Sequence, residues 1–232
     1  MDSVEEEGCL EKQISKITVD RNAGVEMKKA EIFETTYRRY LEQIADIDLI
    51  AKSGTLGAEV SDDTLLIPFY GKPHSVSKAG VVDAAGQKAT FAVSVLLCCY
   101  VLQCPEKEPE PGEWVTYREF KDAGPLVSYF TTNTNKIIET TFAGRIDVLK
   151  SACRRMGGRI LEEPAFDTAV MLEMLPRIPV FFRFNDQDDM FPAQSSILFR
   201  QSAEKHLDME CLAIGGTYLT GLLIRGTDKE AG

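Results

Sequence analysis

Three aspartates, Asp186, Asp188 and Asp189, fall within four positions between two apolar runs, IPVFFRF and SSILF. Oxygen donors at that density suit Ca²⁺ or Mg²⁺. A full EF-hand loop needs a glycine at its sixth position and a glutamate at its twelfth. Counted from Asp186, DQDDMFPAQSSI places Phe191 and Ile197 there, so that motif fails. A buried carboxylate pair can instead raise one carboxyl pKa and furnish a general acid. The plainest account is a solvated turn: its charges discourage edge pairing, and Pro192 fixes entry to the next segment.

Other side chains invite chemistry on weaker grounds. Six cysteines are present and no CxxC pair occurs among them, so neither a zinc knuckle nor a thioredoxin-type motif is written in the chain. Cys98, Cys99 and Cys104 lie in one apolar helical run. At about 100° per residue they do not share a face, which points to buried small side chains. His74 follows a proline in what reads as a turn, and His206 falls near a helix end. An imidazole can ligate a haem or corrinoid metal, yet neither histidine has a second ligand spaced nearby, so exposed or capping roles are the simpler expectation. Trp114, Tyr117, Phe120, Tyr129 and Phe130 make an aromatic-rich middle that could line a slot for a flat macrocycle or simply pack a core. The glycines at 54, 57, 157, 158, 215, 216 and 221 match no phosphate-loop pattern, and no Ser stands in G-x-S-x-G.

The segments GEWVTYREF, SYF, the helix ending MGG, LPRIPVFFRFNDQDDMFPAQSSILFRQSAEKHL and ECLAIGG together resemble an uncharacterised prokaryotic family, a domain of unknown function typical of anaerobes. The likeness runs from about residue 35 to 224 and is most specific over 175 to 207. Some members of that family carry a four-cysteine iron–sulfur module ahead of the domain. The resemblance therefore implies a setting near anaerobic redox or corrinoid metabolism, with an iron–sulfur or corrinoid protein as a partner. This chain lacks the cysteine module, and Arg200 stands where relatives usually have aspartate. The acidic turn lies inside the signature, which gives Asp188, Asp189, Phe191 and Pro192 a claim to more than solvation.

The chain has 232 residues and a formal net charge of −10. That length supports a sizeable core without covalent staples. The charge repels phosphate backbones and anionic lipid, which argues against nucleic acid and membrane as partners. No apolar run reaches the roughly 20 residues of a membrane span, and the acidic N-terminus shows no secretory pattern. A cytoplasmic protein with free thiols is expected.

The elements that must hold these residues follow from periodicity. Residues 1–24 are polar and irregular, and are expected to form a mobile acidic tail ahead of a single domain over 25–232. A helix begins near Lys28, with Tyr37, Tyr40, Leu41 and Ile44 at helical steps. A short helix over 46–52 is stopped by Gly54. TLLIPFYG is a strand, KPH a turn, and HSVSKAGVVDA a returning strand pair. KATFAVSVLLCCYVLQC is apolar all round and belongs in the centre of the core, ended by Pro105. EWVTYREF starts extended, and residues 126–143 form one helix. RIDVLKSACRRMGG is a helix with a glycine stop. RILEE, TAVMLEML and IPVFFRFN are strands, and SSILF is a strand or turn. Helices follow over 202–206 and from an N-cap at Asp208 to Leu223. This order gives an α+β fold, a mostly antiparallel sheet packed with helices in a single domain.

Three functional expectations stand at this level. One is a soluble ligand-binding or accessory domain, for a tetrapyrrole or corrinoid, with Asp186, Asp188, Asp189, Phe191, Tyr117, Tyr129 and His74 as the site residues. A second is an enzyme using the acidic turn, with or without a divalent metal. The third is a protein-interaction module or homodimer.

Overall fold

Apolar alternation with a period of two builds most of the strands. In the computed structural model, which describes residues 34–226, they form two antiparallel sheets rather than one. The first is a meander of β1 (Glu59–Ser61), β2 (Thr64–Phe69), β3 (Lys72–Ser77) and β4 (Gly80–Asp83). The second contains β5 (Trp114–Thr116), β6 (Arg159–Leu161), β7 (Thr168–Leu175), β8 (Ile178–Asn185) and β9 (Gln194–Arg200), in the order β5-β9-β8-β7-β6. Along β8, Ile178, Val180, Phe182 and Phe184 are buried while their neighbours are half-buried, which is the imprint of one face turned to the core. With helices between and after the strands, the protein is a single α+β domain. The acidic tail expected over 1–24 and the proposed start of the first helix at Lys28 lie outside the described residues.

The turn after β2 sits two residues earlier than the sequence suggests. Tyr70 (φ 47°) and Gly71 (φ 72°) form it, and Pro73 and His74 belong to β3. Two successive left-handed residues match the twist of a tight hairpin. Tyr70 tolerates that conformation because it is anchored three ways. Its N–H donates to the Met174 carbonyl of β7, its hydroxyl donates to the Gly215 carbonyl at 3.0 Å, and its ring packs beside Phe69 and Tyr218. This one residue joins the first sheet to the second and to the C-terminal helix.

Seven α-helices and four short 3-10 helices complete the described residues, the α-helices being α1 (34–45), α2 (Ser53–Leu56), α3 (Phe91–Leu102), α4 (Val127–Asn133), α5 (Asn135–Phe142), α6 (Ile146–Arg155) and α7 (Met209–Arg225). The short helix expected over 46–52 begins at Ile50, where Asp48 Oδ1 accepts from the Ile50 and Ala51 amides, and it runs on to a left-handed Gly57 rather than stopping at Gly54. The single helix expected over 126–143 is broken at Thr134 (φ −124°, ψ −84°). The buried Thr134 hydroxyl donates to the Phe130 carbonyl at 2.6 Å, a side-chain bond that competes with helix continuation. α3 is buried all round, as its composition predicts. It packs against α7, which also meets α4, α5 and α6. Gly215 and Gly216 of α7 let Met174 and the Phe130 ring approach the helix so closely that an added methyl would overlap both.

Candidate metal centre

The sequence Leu207-Asp208-Met209-Glu210-Cys211 opens α7. Asp208 is the N-cap residue, and its Oδ1 accepts from the Cys211 amide at 2.7 Å. That bond satisfies one of the free amides at the helix start and draws the side chains of Asp208 and Cys211 together. α3 passes alongside and contributes Cys99, whose thiol donates to Asp208 Oδ2 at 3.6 Å. The two sulfurs and a carboxylate oxygen all lie within 4.8 Å of one another. Cys99 is 1% exposed, Cys211 is 2% exposed, and Asp208 is half-buried.

The electrostatics of this corner act against an ionised Cys211 thiol. A hydrogen bond to Cys99, then burial, then the negative charges of Cys99 and Asp208 hold the Cys211 thiol far above its ordinary range. Tyr40 of α1, half-buried beside the cluster, has its phenol pushed up to about 12, first by burial and then by charge on Cys99, Cys211 and Asp208. Tyr117 is also raised to about 12, by burial and then by Asp208 and Glu210, while its hydroxyl donates to the Met209 carbonyl at 2.7 Å. The Cys211 thiol is thereby held in its neutral form beside the Asp208 side chain. A bound cation reverses that balance, because its charge drives thiols to thiolates.

One edge of the cluster has the length such a cation requires. Around zinc, with Zn–S at about 2.3 Å and Zn–O at about 2.1 Å, tetrahedral ligand atoms stand roughly 3.5 to 3.8 Å apart. The 3.6 Å between Cys99 Sγ and Asp208 Oδ2 matches such an edge. Sulfur-rich donors select zinc, copper(I) or iron over calcium and magnesium.

Spacing along the chain hides this cluster, since Cys99 and Asp208 are 109 positions apart. The two local signals, Asp208 as N-cap and a cysteine three residues on, are legible; the partner on α3 is not. The expected burial of Cys98 and Cys99 holds, and Cys104 is half-buried.

The residues singled out from the sequence are scattered. Asp186 Oδ1 accepts from the Gly144 amide at 2.6 Å and the Gln187 amide at 2.8 Å. Asp188 Oδ1 accepts from the Met190 and Phe191 amides at 2.8 and 2.7 Å. The turn is thus stitched by its own acids, with Asp188, Asp189 and Phe191 exposed at the end of β8. Tyr117 is buried and stacks on Phe130 with ring centroids 4.3 Å apart, whereas Tyr129 is 45% exposed on α4. His74 is buried in the other sheet, not exposed in a turn, with Nδ1 2.9 Å from the Lys72 carbonyl and its ring against Phe69. His206 is likewise buried. No helix among the described residues is long and apolar enough to cross a membrane.

No match to the chain was found among curated proteins or among solved structures. A family model does match, over residues 48–221, a span that holds Cys99, Asp208, Cys211 and the acidic turn alike. The chain belongs to the family described as a domain of unknown function, DUF3786.

Proposed function

We propose that this domain binds a thiophilic divalent cation, zinc(II) foremost, through Cys99, Cys211 and Asp208. The observation that carries the proposal is the convergence of two buried sulfurs and a carboxylate oxygen within 4.8 Å, drawn from two helices far apart in sequence. Three protein donors leave a fourth position for water or the neighbouring Tyr40 phenol. A site this enclosed suits an accessory or structural role, in which the cation clamps α3 to the start of α7.

Cobalt(II) substitution under reducing conditions tests it. A thiolate-to-cobalt charge-transfer band should appear at one equivalent, disappear on adding zinc, and be lost in Cys99→Ser and Cys211→Ser. Absence of the band from the folded wild-type protein, or its survival in both variants, removes the proposal.

The tetrapyrrole or corrinoid expectation draws less support from the geometry. Tyr117 and Phe130 stack on each other. A surface pocket of about 730 Å³ is lined by Asp46, Asp48, Asp63 and Lys78 among others, with neither imidazole nor thiol to ligate a macrocycle's metal. A docking role is favoured by Met190 and Phe191, 79% and 59% exposed on the acidic turn. Loss of a partner's binding on Phe191→Ala, with unchanged stability, is its test.

A further inference from the structure

A second site is bordered by His206, two residues before Asp208, and is independent of the metal proposal. A cavity of about 300 Å³ opens between the proline-rich loop before β5 and the β7–β8 turn, bordered by Arg177, Arg200, Ser202, His206 and Glu108. The loop is pinned over it. The Ser202 amide donates to the Pro111 carbonyl at 3.1 Å, and Arg200 Nη1 donates to the Gly112 carbonyl at 3.0 Å.

The two arginines have different duties. Arg177 spends Nε on the Thr55 carbonyl, Nη2 on the Gly54 carbonyl and Nη1 on Glu108 at 3.1 Å, so its charge is answered and its side chain is fixed. Arg200 stacks on Trp114, 4.2 Å from the ring centre, and has no carboxylate partner among the described residues. Beside it the Ser202 hydroxyl makes no hydrogen bond among the described residues; His206 Nδ1 also lacks one but is closed off from the open cavity. A ligand that gives the Ser202 hydroxyl and the Arg200 charge a partner is correspondingly favoured. One unanswered positive charge and a hydroxyl are the chemistry that receives an oxyanion. Pro109, Pro111, Pro176 and Pro179 supply rigid apolar walls, and because Glu108 is matched by Arg177, the single charge of Arg200 leaves a second negative charge unanswered.

We propose that this cavity binds a small organic monocarboxylate, with its carboxylate on Arg200 and Ser202 and its alkyl part against the prolines. Dianionic phosphate is disfavoured because one net positive charge leaves half of its charge unmatched.

The protein holds a single tryptophan, Trp114, and Arg200 lies on it, so the fluorescence of the intact chain reports the site directly. Titration with butyrate should give a saturable change in Trp114 emission, with inorganic phosphate binding at least about tenfold more weakly. Arg200→Gln should weaken butyrate about tenfold or more, as for the loss of a charge-assisted hydrogen bond. Because that substitution also removes the stacking partner, Ser202→Ala provides the second measurement, read by thermal shift, and should weaken binding severalfold. A lack of saturation by butyrate at millimolar concentrations overturns the proposal. So does phosphate binding as tightly as butyrate, which marks an adventitious ion only, or unchanged affinity in Ser202→Ala and Arg200→Gln together.

Discussion

Asp208 serves two purposes at once, and two substitutions separate them. As N-cap it accepts the Cys211 amide, and as a cluster member it presents Oδ2 to Cys99. Asparagine caps a helix about as well as aspartate, whereas alanine forfeits roughly 1 kcal/mol. In a chain of this size about 1 kcal/mol moves Tm by roughly 2–4 °C. Without metal, Asp208→Asn should therefore melt near the wild type and Asp208→Ala a few degrees lower. With zinc at about 100 times the wild-type Kd, binding adds about 2.7 kcal/mol, or roughly 5–10 °C. Asparagine provides no carboxylate for zinc. If its loss weakens zinc about a hundredfold, the gain shrinks to about 0.4 kcal/mol, close to 1 °C. The assay is differential scanning fluorimetry in a thiol-free reductant, with and without zinc. An equal zinc-induced shift in wild type and Asp208→Asn refutes the assignment of the carboxylate as a ligand, and equal metal-free melting of Asp208→Ala and wild type refutes the cap.

Gly216→Ala should cost about 1–3 kcal/mol in urea denaturation, because the new methyl meets the Phe130 ring, while Gly221→Ala, whose nearest neighbour is the flexible end of Arg225, should gain about 0.5–1 kcal/mol. Burial lowers the pKa of His74, so the folded chain binds fewer protons there than the unfolded chain. Its contribution is complete above the unfolded pKa of about 6.5 and is lost as pH falls toward the depressed folded value; His74→Asn should flatten the fall in Tm over that window, and an unchanged slope counts against it. Asp188→Ala should speed hydrogen exchange at the Met190 and Phe191 amides and leave the zinc response intact, since the acidic turn uses its carboxylate internally. Slow exchange at both amides would show that other bonds hold the turn.

Much of the architecture is legible in the chain because it rests on local rules. The all-apolar composition of α3 places it in the core, Asp208 caps α7, and alternation over IPVFFRFN marks β8. Local rules failed where a side chain overrode the pattern: Thr134 breaks one expected helix into two, and the anchored Tyr70 shifts a hairpin turn by two residues. The site was less legible. Three acids in four positions draw attention, yet Asp186 and Asp188 hold backbone amides of their own neighbourhood. The cysteine run looks inert because its members diverge around a helix, and that argument is sound within α3. It is silent about a thiol arriving from α7, a juxtaposition created by packing alone.

The placement of Cys99 and Asp208 also bears on how the molecule comes apart. Between them in the chain lies every strand of the second sheet. A cation gripping both ends turns that stretch into a closed ring, and closing a ring of about 100 residues restricts the unfolded chain by several kcal/mol. Metal would then govern the opening of everything in between. Protease nicking within the 105–112 loop would leave the halves tied together until a chelator released them.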